Sequence, residues 1–148
     1  MNRAQCLVHR GENILMVKHV HNGEEWWCLP GGGVEPGETS VEAALRELKE
    51  ECCVDGMIER LLSTYTDDHD IEIITYLVGI GDQQPQMGGD PEFSHDEQIL
   101  KDVCWMTLDD ISERDRAYLW AAGLLCVPDF LAVVSSWGDA ISYPASKI

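Results

Sequence analysis

The sequence predicts a mixed α/β fold, a β-sheet of mixed direction with helices packed on it. Three observations point there. Short β-type runs alternate along the chain with stretches of helical periodicity. Two of those runs, 57–66 and 71–80, are separated only by Asp67-Asp68-His69-Asp70, which suits a tight turn and hence an antiparallel hairpin. One segment, 39–52, carries apolar residues at i, i+3, i+4 and i+7. With 148 residues the chain suits one domain, read here as 1–148.

The elements follow in order. Residues 4–9 and 14–20 read as strands joined at Arg10-Gly11-Glu12-Asn13, a turn built on Gly11 and Asn13. His21 to Glu25 breaks the pattern, and Trp26 to Pro30 reads as a short strand halted by the proline. A glycine-rich loop, 31–38, leads to a helix that Thr39 or Ser40 could N-cap. The hairpin of 57–66 and 71–80 comes next. Residues 81–97, polar and rich in Gly, Pro and acid, read as a loop. A last strand spans 102–107, and a helical region begins at Leu108. The C-terminal helix and tail, 108–148, become hard to read beyond Pro128.

Charge narrows the function classes. The 27 Asp and Glu exceed the 10 Lys and Arg and leave a formal net charge of −17. Nucleic acid and anionic lipid would repel such a chain, because binding them needs many cations on phosphates. A small phosphate-bearing ligand remains open if cations mask the local acids. The six cysteines show neither zinc nor disulfide spacing and read as reduced thiols. No signal-peptide pattern opens the chain, and the longest apolar run, 118–127, is short for a membrane span. The cytoplasm is the expected compartment.

The helix at 39–52 holds Glu47, Glu50 and Glu51 close together. On a helical wheel Val41, Ala44, Leu45 and Leu48 form one arc, and the three acids form another, centred roughly 120° round from it. Like charges at i, i+3 and i+4 destabilise a helix by a few tenths of a kcal/mol per pair, roughly. Several oxygens in one patch suit a hard dication such as Mg²⁺ or Mn²⁺. A solvated acidic face fits the same geometry.

The residues upstream sharpen this. From Gly32 the chain runs through Glu38 to Arg46-Glu47-Leu48-Lys49-Glu50-Glu51-Cys52-Cys53-Val54. Residues 32–54 resemble the Nudix box, G-x5-E-x7-R-E-U-x-E-E-x-G-U, with every fixed position matched except one: Cys53 replaces a glycine. The preceding Trp26 to Gly32 resembles the usual entry to that box. The resemblance implies an α/β/α sandwich with a mixed sheet between helices, and hydrolysis of a pyrophosphate bond in a nucleoside diphosphate derivative. It implies Glu47, Glu50 and Glu51 as Mg²⁺ ligands (Mn²⁺ as the substitute), with the Gly31 carbonyl as a further oxygen. Arg46 and Glu38 would orient the helix. Gly32 and Gly33 would let the backbone turn sharply and approach a ligand. The resemblance implies that the general base would be Glu47 or an acid on the loop at 92–97, Glu97 ahead of Asp96. At Cys53 the expectation is that the helix runs on and Gly56 ends it.

Trp26 and Trp27, adjacent on a strand, face opposite sides. One is core and one is free to stack on a nucleobase; the residues alone do not say which, and Trp27 is carried as the candidate. His19 and His21 read as partly exposed imidazoles. The subgroup marks for ADP-ribose and dinucleoside polyphosphates are not visible, since Asp70 stands where the first has proline. The partner expected is a small nucleotide or nucleotide conjugate, and the family resemblance leaves room for a homodimer. Two other classes compete with the enzyme: a Nudix-fold nucleotide sensor and an acidic interaction protein without a metal site.

Overall fold

The computed structural model describes residues 2–89 and 99–138. Its strands are β1 (Asn2–Leu7), β2 (His9–Arg10), β3 (Asn13–His21), β4 (Glu24–Cys28), β5 (Gly31–Gly33), β6 (Met57–Thr66), β7 (Glu72–Gly79) and β8 (Leu100–Met106). The helices are α1 (Ser40–Cys52), α2 (Glu113–Ala121) and α3 (Pro128–Ser135), with short 3-10 turns at Leu108–Asp110 and Leu124–Cys126.

The strands form two sheets rather than the single one expected. One has the order β5-β1-β7-β6, parallel between β1 and β7 and antiparallel elsewhere. In the other, β3 pairs antiparallel with β2, β4 and β8. The split arises at Val8, where the strand read as 4–9 leaves β1 and re-forms as β2. His21 to Glu25 is a hairpin rather than a break. Asn22 and Gly23 both take positive φ, 52° and 78°, as a two-residue turn with native twist requires. The hairpin at 67–70 forms as expected, with Asp67 Oδ1 accepting from the N–H groups of His69 and Ile71.

Period-two alternation builds a core on each side. Cys6, Val8, Leu15 and Val17 join Ala44 and Leu48 of α1. Leu7, Ile14 and Met16 join Leu119 of α2 and Phe130 of α3. Helices therefore cover both faces, and α1 lies over β1 and β5.

Helix α1 begins at a full capping box, Thr39 with Glu42. Its end corrects the expectation at Cys53. The helix stops at Cys52, and Cys53 itself takes the left-handed conformation at φ 59°, ψ 33°, its N–H donating to Lys49 O. Gly56 serves packing instead, since a Cβ there would stand 2.6 Å from Val78 Cγ1. Pro128 opens α3 as a first-turn proline, so residues 128–135 are helical.

Candidate active site

The acids of α1 face β5. The buried residues of α1 are Ala43, Ala44, Leu48, Glu51 and Cys52, so the buried arc is wider than the apolar stripe and takes in an acid. Glycine makes this arrangement physically accessible. A Cβ on Gly31 would press on Ala4 O at 2.5 Å, and one on Gly32 would overlap the Glu47 carboxylate. The three glycines form an extended strand squeezed between β1 and α1, not the sharp turn expected of them. Gly37, at φ 81°, is the one that turns the chain.

Glu51 is 6% exposed. One of its oxygens accepts from Gly31 N–H at 2.8 Å, and the other lies 3.3 Å from His19 Nε2. His19 stacks on its cross-strand partner Trp26, centroids 5.7 Å apart, and its Nδ1 lies 3.2 Å from Cys28 Sγ. Burial, reinforced by Glu51, pushes the Cys28 thiol up to about 12, so it carries no charge at neutral pH.

Arg46 binds the other acids. Its Nε and Nη2 donate to Glu38 at 2.7 and 3.0 Å, and Nη2 also to Gly33 O at 3.0 Å. Its Nη1 donates to Glu47 at 3.1 Å and to Glu50 at 3.2 Å. Hydrogen bonding from Arg46 holds the Glu38 carboxyl below its ordinary value. Burial, then the charge of Glu51, pushes Glu47 up to about 7, although Arg46 pulls it down. Like charges crowd this end of the helix.

Glu47, Glu50, Glu51, Arg46, Gly31, Gly32 and Gly33 all line one open cavity of about 600 Å³. Trp26 lines it and Trp27 does not, which corrects the choice between them. Trp27 packs on the opposite core, its backbone N–H donating to the buried Asp115 at 3.2 Å. Lining residues outside the expected set include His19, His21, Arg3 and Gly89. The alternation along β3 puts His19 and His21 on one face, but only the pairing of β3 with β4 shows which face. Glu97 and Asp96 lie outside the described residues. Among the described residues no three acidic, His or Cys side chains stand close enough to enclose an ion as they are. Arg46 holds Glu47 and Glu50, while Gly31 and His19 hold Glu51.

Two sheets between helices, with carboxylates of the first helix turned to a glycine strand, define a NUDIX-type fold. The family model of the NUDIX domain matches residues 2–126, and the chain belongs to that family. A human diphosphoinositol polyphosphate phosphohydrolase is 38% identical over 78 residues, 51% of this chain and 42% of that protein. The chain thus spans under half the length of these curated relatives. Among solved structures, a NUDIX hydrolase from Nitrosomonas europaea superposes with TM-score 0.64 at 19% identity, covering 88% of each chain. A Caenorhabditis elegans Ap4A hydrolase gives 0.63 at 23% identity, covering 90% of this chain and 98% of that one. At those identities the likeness is one of fold.

Proposed function

We propose that the chain is a Mg²⁺-dependent pyrophosphohydrolase acting on a nucleoside di- or triphosphate derivative. One observation carries the reading: Glu47, Glu50 and Glu51 converge on one open cavity, with Glu47 pushed up to about 7 by burial and by Glu51. Crowded carboxylates short of counter-charge fit a hard, oxygen-seeking dication. The three glutamates would hold it, with the Gly31 carbonyl as a further oxygen. When bound, the ion supplies Lewis acidity and lowers the pKa of a coordinated water.

The chain's own residues do the rest. Arg46 and Glu38 brace the acids against the 31–33 strand. Gly31 N–H and His19 fix Glu51. Gly32 and Gly33 keep the wall beside Glu47 low enough for a diphosphate. Trp26 offers a flat face on which a base can stack. Glu47, on the cavity wall beside Gly32, is placed to take the proton from the attacking water. Glu97 is the alternative base.

The relatives' names raise a rival substrate, a diphosphorylated inositol polyphosphate. Such a polyanion needs many cations. The Lys and Arg among the lining residues are Arg3 and Arg46, and Arg46 is already engaged by four glutamates, Glu35, Glu38, Glu47 and Glu50. With a net charge of −17 as well, the chemistry favours the less charged nucleotide. A second reading, a nucleotide sensor that does not cleave, draws on the hold Arg46 has over Glu47 and Glu50.

The test is phosphate and pyrophosphate release across a panel of nucleotides, nucleotide sugars, dinucleoside polyphosphates and inositol pyrophosphates. Each runs with Mg²⁺, Mn²⁺ or EDTA, for the parent and for Glu50→Gln. Cation-dependent cleavage that falls at least about a hundredfold in the variant is expected. Nucleotide-dependent stabilisation without turnover would instead make the chain a sensor.

A further inference from the structure

The acid-bearing helix ends on a left-handed cysteine, yet its last carbonyls are satisfied. Three backbone donors from residues 86–89 reach them. Gln86 N–H donates to Cys52 O at 2.9 Å, Gly88 N–H to Glu51 O at 2.8 Å, and Gly89 N–H to Glu50 O at 3.0 Å. These oxygens belong to the group that a helix leaves without partners of its own. The segment is pinned at its other end too. The Gln83 side-chain amide accepts from Asp55 N–H at 2.9 Å and donates to Asp55 O at 2.8 Å. Arg10 Nη2 donates to Gly81 O at 2.7 Å.

Gly88 sets how close this strap can come. A Cβ there would overlap the carbonyl oxygen of Glu50, an atom fixed within the helix backbone. Gly89, the next residue, lines the cavity beside Glu50 and Glu51.

We infer that the strap Gln83–Gly89 is a positioning element of the acid site, with Gly88 the residue that lets it dock. The inference rests on the reading of Glu47, Glu50 and Glu51 as a divalent-cation site. Glu50 and Glu51 sit in the last turn of α1, the turn most prone to fray. Here that turn also ends in a backbone conformation that L-residues resist. Functional groups must be held to about half an ångström, and supporting hydrogen bonds do the holding. The strap attaches to the backbone carbonyls of both acids, so it fixes their position without engaging their carboxylates.

The experiment compares the parent chain, Gly88→Ala and Gln84→Ala, an exposed strap residue, as control. Hydrogen exchange is measured in EDTA, and Mn²⁺ affinity by titration. In Gly88→Ala the amides of residues 86, 88 and 89 should lose protection while Leu15 and Leu77 keep theirs. Mn²⁺ should bind about tenfold more weakly, the scale seen when groups supporting metal ligands are removed. Gln84→Ala should match the parent. If Gly88→Ala does not fold, Gln83→Ala replaces it and should move both readouts the same way. Equal Mn²⁺ affinity in parent and variant, whatever the change in melting temperature, overturns the inference and leaves the site reading intact. A parent that takes up no Mn²⁺ overturns the site reading, and the inference falls with it.

Discussion

Cys53 stands where the family pattern has glycine, and it adopts the backbone conformation that glycine would. A left-handed L-residue costs about 1–2 kcal/mol. Cys53→Gly relieves this but frees the unfolded chain, which takes back about 0.4–1 kcal/mol. The net gain should raise the melting temperature by about 2–4 °C; a fall would mean that Cys53 makes contacts worth more than the strain. Glu47 makes a pH-dependent prediction. In EDTA the folded protein keeps this proton up to about pH 7, against an ordinary value of 4.5. The folded state thus binds the proton more tightly than the unfolded one. Its contribution to stability is full below about pH 4.5 and is lost as pH rises through about 7. The parent's melting temperature should therefore fall more steeply over that window than that of Glu47→Gln. Parallel curves would show that Glu47 titrates normally.

At the scale of elements, α1 was readable because its signals are local. The capping box and the i, i+3, i+4 rhythm depend on the helix alone. Its buried arc was misjudged because glycines in a different strand admit carboxylates where hydrophobicity predicts none. Helix α2 shows the same limit. It buries Asp115 and Arg116, at 3% and 1% exposure. Arg116 Nε donates to Leu108 O at 2.8 Å and its guanidinium lies over Trp137 at 5.2 Å, but Nη1 and Nη2 have no hydrogen-bond partner among the described residues. Burial lowers its pKa. Desolvating a cation without full hydrogen bonding is costly, so an apolar side chain of similar length should serve as well. Arg116→Met is expected to keep or raise the melting temperature. A loss of more than about 2 kcal/mol, read from urea unfolding, would mean that an anion partners the guanidinium.

For the molecule as a whole, the sequence determined the order of the elements, the hairpin at 67–70 and the placing of three acids on one side of a helix. These follow from hydrogen-bond periods of 3.6 and 2, which act over a few residues and are written into spacing. Composition likewise argued against a nucleic-acid partner, since charge is a sum over residues. Tertiary structure decided the rest. It divided the strands between two sheets, chose Trp26 over Trp27 for the cavity, and brought His19 and Arg3 to the acids. It also set the strap of residues 83–89 against the end of α1. Each of these joins residues far apart in the chain. Such contacts depend on which faces pack together and how closely backbones approach, and neither is contained in local spacing.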